Sequence, residues 1–126
     1  MTTTIKTTTK ALHEALICKL SSDDFTSGTY NLNTLETVEF SRGYQVSFCC
    51  IGDNYTDEEY GFINAMFAEL SSDGIAYAGK FEGTPEVSYH ISNKKTAIRL
   101  AKKFNQISIW DWKNGDTIET GGTGIR

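Results

Sequence analysis

The chain has 126 residues, enough for one domain with a real but shallow core, and its 39% hydrophobic content is low enough that a second copy is expected to complete part of the apolar surface. A formal charge of −4 excludes the basic footprint of a protein that grips duplex nucleic acid non-specifically, and no apolar run approaches transmembrane length. The opening MTTTIKTTTK lacks an apolar signal-peptide core, and the three cysteines, Cys18, Cys49 and Cys50, are odd in number and fit neither a disulfide framework nor a zinc motif, so a reducing cytosol is expected, with no metal and no cofactor.

Residues 1–9 are Thr-rich and expected to be frayed or extended. Ile5, Leu12, Leu16, Ile17 and Leu20 recur at helical spacing and predict a helix over Thr8–Leu20 with one apolar stripe. Ser21–Asn31 has the composition of a loop. Leu35–Ser41 and Tyr44–Ile51 are expected to pair as a hairpin around Arg42-Gly43, with Val38, Phe40, Val46 and Phe48 facing inward. Thr56–Glu59 is a capping box, since the Thr hydroxyl can accept from a first-turn N–H while the Glu reaches back, and the acids there suit the helix dipole. That helix should run to about Leu70 and bury Tyr60, Ile63, Met66, Phe67 and Leu70 before Ser71–Gly74 stops it.

Ile75–Phe81 and Val87–Ser92 predict a second hairpin across Glu82-Gly83-Thr84-Pro85. Ser92 or Asn93 caps a third helix whose buried stripe is Ala97, Ile98, Ala101 and Phe104. Gln106–Trp112 is a strand, Asn114-Gly115 turns it, and Thr117–Glu119 returns. On the outgoing strand Ile107 and Ile109 share one face and Trp110 and Trp112 the other, which suits a central strand or an interface between copies. Pro85 is the only proline, so no linker divides the chain. The expected fold is α+β: a single domain over residues 1–126, in the order helix, hairpin, helix, hairpin, helix, hairpin and Gly/Thr-rich tail, with a mainly antiparallel sheet of about six strands and three helices.

Charge is segregated along this order. Asp53–Asp73 holds six acids and no base, whereas Lys94–Lys103 holds five bases and no acid. A solvated outer helix face accounts for the five bases, but Arg99 presents a planar fork suited to phosphate, and Lys103 adds a point charge. Trp110 and Trp112 serve either as core or as a stacking platform for a purine. Asn105 serves either as a helix C-cap or as a reader of a base edge or ribose hydroxyl. The tail Thr120-Gly121-Gly122-Thr123-Gly124-Ile125-Arg126 is either a loose end or an amide nest for phosphate, with Thr hydroxyls and Arg126 as further donors. It is not a phosphate-binding loop of the Walker type, because the Lys-Ser/Thr pair and the strand–loop–helix frame are missing.

Catalysis is not expected. Asp57, Glu58 and Glu59 are consecutive, so they splay around a helix, and helix capping accounts for them. No nucleophile elbow or Ser–His–Asp order is present, His90 is expected to be structural, and Cys49 and Cys50 to be inert in an apolar hairpin.

The string VSYHISNKKTAIRLAKKFNQISIWDW followed by NGDTIETGGTGIR resembles small proteins of phages and mobile elements whose C-terminal halves share a helix ending in K-[FY]-N-Q, a strand like SIWDW and a final TGGTG. Within that set it is most similar to the first type of phage anti-Thoeris sponge, over about a third of the chain, Val87–Arg126. The resemblance implies a cytoplasmic homo-oligomer, dimer or higher, that binds cyclic ADP-ribose isomers or cyclic oligonucleotides in pockets between subunits and withholds them from a host immune effector without degrading them. It also implies ligand-binding roles for Arg99, Phe104, Asn105 and Thr120–Gly124, while charge and ring chemistry add Lys103, Trp110 and Arg126. The alternative is a protein-binding anti-defence inhibitor, such as an anti-CRISPR or nucleic-acid mimic, acting through the acid-rich span Asp53–Asp73.

Overall fold

The computed structural model describes residues 8–20, 22, 25, 27–50, 55–81 and 84–123, with the side chains of Cys49, Cys50, Phe81 and Thr84 outside that description. The fold is α+β, with three helices and a six-stranded antiparallel sheet. In chain order the elements are α1 (Thr9–Leu20), β1 (Gly28–Asn31), β2 (Tyr44–Cys50), α2 (Asp57–Leu70), β3 (Tyr77–Phe81), β4 (Thr84–Ile91), α3 (Lys94–Lys103), β5 (Ser108–Asp111) and β6 (Asp116–Glu119). The strands lie in the order β1-β3-β4-β2-β5-β6, so β4 and β2 form the centre.

The period-2 rule divides the sheet into two unlike faces. Tyr30, Val46, Phe48, Ala78, Val87, Tyr89, Ile91 and Ile109 join Ile17, Leu20, Tyr60, Phe67, Ala97, Leu100, Ala101 and Phe104 in one core, so all three helices cover the same face. Phe48 and Phe67 stack at its middle, ring centroids 4.9 Å apart. The opposite face carries Gln45, Ser88, His90 and Trp110, as the pairings Gln45↔His90, Ser47↔Ser88 and Gln45↔Trp110 require. Gln45 spans it, donating from Nε2 to Ser88 Oγ (2.9 Å) and accepting from the Trp112 indole at Oε1 (3.1 Å).

Helix α2 starts as its sequence demands. Glu59 N–H donates to Thr56 Oγ1 (3.1 Å) and Thr56 N–H donates to Glu59 Oε1 (3.0 Å), closing the capping box. Those bonds from Thr56 hold the Glu59 carboxyl below its ordinary range. Tyr60 and Phe67 are buried, while Leu70, expected inside, is 40% exposed at the helix end. In α3, Leu100 replaces Ile98 in the fully buried stripe.

The first hairpin differs from expectation. Residues 35–41 do not pair with β2. Gly28–Asn31, expected as loop, is the strand, and it pairs with β3 from Gly28↔Lys80 to Asn31↔Tyr77. The chain then reverses at once: Leu35 N–H donates to Asn31 O (2.7 Å), Asn31 N–H to Glu36 O (2.9 Å) and Val38 N–H to Thr29 O (2.8 Å). Leu35 takes φ 59° in that turn. From there residues 37–43 cross the non-helical face. Phe40, expected in the core beside Val46 and Phe48, instead stacks on His90 at 3.9 Å and meets Tyr77 and Trp112 edge-on, both at 5.5 Å. Ile107, expected to share a face with Ile109, precedes β5 and is 58% exposed, while Ile109 is buried. Ile5, Ile51, Asp53 and the Glu82-Gly83 turn lie outside the described residues.

Two buried polar groups tie segments together. Lys80, 4% exposed, donates to the carbonyls of Ser22 and Phe25, each at 2.7 Å, and so ties those two residues to β3. His13 of α1 shares a 2.7 Å hydrogen bond with the Tyr60 hydroxyl of α2, and burial lowers its pKa from the ordinary histidine value. The folded state therefore favours neutral His13, and its contribution to stability is complete above pH about 6.5 and declines as the pH falls below it. Urea denaturation at pH 7.5 and pH 5 checks this: the protein should lose stability at the lower pH, and His13→Gln should lose less over the same interval.

Candidate functional site

Helix α3 positions two surfaces, one at each end. Asn93 opens it by accepting from the Thr96 N–H at 3.0 Å. Ala97, Leu100 and Ala101 face the core, which turns Lys94, Lys95, Arg99, Lys102 and Lys103 outward, all exposed. The one ion pair among the described residues is Lys10–Glu14 on α1, so no described acid is in salt-bridge contact with α3.

At the C-terminal end, Phe104 N–H donates to Leu100 O (3.1 Å) and Asn105 takes the left-handed conformation, φ 54°. Its side chain reaches the tail. Thr123 N–H donates to Asn105 Oδ1 (3.0 Å), and Asn105 Nδ2 donates to Thr123 Oγ1 (2.6 Å). Thr120 adds two anchors, its hydroxyl donating to Gln106 O (2.6 Å) and its N–H to Ile107 O (2.9 Å). Gly122 lies against the Asn105 and Gln106 backbone so closely that a Cβ has no room. Residues 120–123 are thus docked on the α3–β5 junction.

The residues expected to bind ligand do not form one site. Asn105, Thr120, Gly122 and Thr123 come together, with Gly121 exposed at φ 81° among them. Arg99 and Lys103 stand exposed on the helix that leads there, and the Lys103 ammonium lies 5.9 Å from the Phe104 ring centre. Phe104 itself is 8% exposed and packs on Phe67 at 5.3 Å, so its ring belongs to the core and offers no open stacking surface. Trp110 lies on the opposite face of the sheet from α3, half-buried and edge-on to Trp112. Gly124 and Arg126 lie outside the described residues.

At the other end of α3 is a cleft of ≈ 380 Å³ that sequence reasoning missed, within the size range of small-molecule sites. Arg42, Tyr44, His90, Ser92, Asp111 and Lys113 line it. They come from the lead-in to β2, the end of β4 and the turn after β5, which only the strand order brings together. Local sequence carried one signal, the Asp111–Asn114 spacing of an Asx turn. The Asp111 carboxylate accepts from Lys113 N–H (3.1 Å), Asn114 N–H (3.3 Å) and Asn114 Nδ2 (2.7 Å). The Asn114 side chain most of all, then the two backbone N–H groups and the charge of Lys94, hold this carboxyl below its ordinary range against the opposing effect of burial.

His90 fixes the other wall. The Arg42 carbonyl can only accept, so His90 Nε2–H donates to it at 2.7 Å, which leaves Nδ1 to accept from the Ser72 hydroxyl at 2.5 Å. Gly43 packs on the same imidazole with φ 88°, and a Cβ there meets the ring. The chemistry on display is electrostatic: exposed cations around a hydrogen-bonded carboxylate. Among the described residues no cluster of His, Cys, Asp and Glu is arranged to hold a metal ion.

No protein-family model matches the chain, and no curated protein or solved structure matches it.

Two substitutions check these placements. Asn105→Gly keeps the left-handed backbone and removes only the clasp, so it should cost about 1–3 kcal/mol and raise amide exchange at residues 120–123. Gly43→Ala should cost about 1–3 kcal/mol from backbone conformation alone, with more from the His90 clash, read as a lower urea midpoint.

Proposed function

We propose that this protein is a non-enzymatic cytoplasmic sponge that binds a small anionic, ring-bearing signal of the cyclic ADP-ribose or cyclic oligonucleotide class and releases it unchanged. The observation that carries this reading is α3. On a chain of net charge −4, five bases project from one helix with no described acid in contact, and the docked Gly/Thr segment lies at its end. Exposed cations that the fold leaves unpaired remain available to an anionic partner. Arg99 supplies the bidentate contact to phosphate, Lys102 and Lys103 supply field, and Asn105 positions the backbone of residues 120–123 beside them. Trp110, on the other face, takes part only if a neighbouring copy brings its own α3 or tail against it, which agrees with a homo-oligomer with shared pockets.

Calorimetry with cyclic ADP-ribose isomers and cyclic dinucleotides, followed by heating and mass spectrometry of the released ligand, tests the proposal. Saturable binding with intact recovery is expected. Recovery of hydrolysed ligand points to an enzyme, and no heat with any of them ends the reading. Arg99→Ala should weaken binding by about 1.5–3 kcal/mol without altering the fold, since the side chain is exposed.

One observation favours a second reading, a protein-binding inhibitor. Phe62 is 77% exposed on α2, one turn from exposed Glu58, an apolar anchor beside acids. Pull-down of a host effector that is lost in Phe62→Ala and Glu58→Gln supports it; indifference to both rejects it.

A further inference from the structure

The cleft at the N-terminal end of α3 is not used by the reading above, and its charges ask for a ligand of their own. We propose that it is a binding site for a phosphomonoester, with Arg42 and Lys113 as the residues that hold the phosphate. The polar groups of the walls are already committed: His90 through both ring nitrogens, Asp111 through three donors. The cations are not. Neither the Arg42 guanidinium nor the Lys113 ammonium is ion-paired or hydrogen-bonded to any described residue.

Lys94 adds its charge close enough to act on Asp111. Two lining cations against one carboxylate leave the cleft at +1 (2 − 1), and Lys94, outside the lining, adds positive field, so the site favours a phosphomonoester, which carries about −1.5 to −2 at neutral pH. The fork of Arg42 supplies parallel donors to two phosphate oxygens, Lys113 a point charge, and the Ser92 hydroxyl a neutral donor at the same opening. The volume of ≈ 380 Å³ admits a phosphate with a small organic body.

The walls are built to hold this geometry. Trp112 N–H donates to Gly43 O at 3.0 Å, joining the lead-in of β2 to the turn that carries Lys113. The imidazole of His90 fixes the carbonyl of Arg42, so the residue bearing the guanidinium has a set backbone.

Amide NMR of the intact protein in low-salt buffer tests the assignment, with Gly43, Ser92, Lys113 and Asn114 as reporters. Probes are adenosine monophosphate, inorganic phosphate, adenosine and acetate. Adenosine monophosphate and phosphate should give saturable shifts, adenosine none, and acetate binding at least tenfold weaker than phosphate. Arg42→Gln and Lys113→Gln, both at exposed positions, should each weaken the phosphate response about tenfold or more. Asn105→Gly should leave it unchanged, which separates this site from the tail surface. The proposal is overturned by absence of saturable shifts with both phosphate compounds, by equal responses to adenosine and its monophosphate, by acetate matching phosphate, or by a folded Arg42→Gln/Lys113→Gln double variant that binds as well as the parent. None of these outcomes depends on whether cyclic nucleotides bind.

Discussion

Along β4, Val87, Tyr89 and Ile91 point into the helix-covered core while Ser88 and His90 point to the opposite face, and β2 repeats the pattern with Val46 and Phe48 against Gln45. This alternation on the two central strands is the constraint on which the other features rest. It assigns all three helices to one side, since only that side carries enough apolar surface to bury them. It leaves the other side to a polar and aromatic layer, in which Gln45, Ser88 and Trp112 satisfy one another and Phe40 closes over His90. A one-residue slip of β2 along β4 moves Val46 and Phe48 out of the core and Gln45 into it, and takes the Arg42 carbonyl away from His90, the bond that fixes one wall of the cleft.

The same constraint separates residues that looked like partners in the sequence. Trp110 follows Arg99 by only eleven positions, yet the two belong to opposite sides of the sheet, because Ile109 takes the core-facing place on β5 and its neighbour must point away. Phe104 is held between Phe67 and the end of α3, where a purine has no access. What survives as a composite surface is backbone rather than ring: the left-handed Asn105, its clasp on Thr123, and glycine where a side chain has no room.

Local chemistry made much of this fold legible. The Thr56–Glu59 capping box, the Asn93 cap and the Asn114-Gly115 turn are decided by groups within a few residues of one another, and they form as their sequence implies. The α+β class followed from the same signals. The failures share a cause, which is that the deciding partner was distant. Gly28–Asn31 is polar and short, and becomes a strand because β3 offers it an edge. Residues 35–41 carry the alternation of a strand but give their backbone bonds to residues 29 and 31 and lay Phe40 across a face that sequence could not assign. The cleft was illegible for the same reason: Arg42, Ser92 and Lys113 are neighbours only through the order β4-β2-β5.

Helices α2 and α3, both capped at their N-termini, treat the helix dipole in opposite ways. Helix α2 begins with Asp57, Glu58 and Glu59, the sign that stabilises an N-terminus, whereas α3 begins with Lys94 and Lys95 and has no acid in its first turn. Charges of the wrong sign there cost about 0.3–1 kcal/mol each when exposed. At the other end Lys102 and Lys103 face the negative pole and are stabilising. A helix of ten residues is about 15 Å long, so its positive dipole end lies on the side of the cleft, where Arg42 and Lys113 outnumber Asp111, while the field at the tail surface is partly cancelled. An anion bound at the proposed cleft would offset the repulsion among its cations, whereas one bound at the tail would draw on Arg99, the Thr hydroxyls and backbone amides against the negative end of the same helix. On electrostatic grounds the cleft is the stronger of the two for a compact dianion. The tail surface, with its long lever of exposed bases and adaptable glycines, is better matched to a larger ligand whose charge is spread over several phosphates.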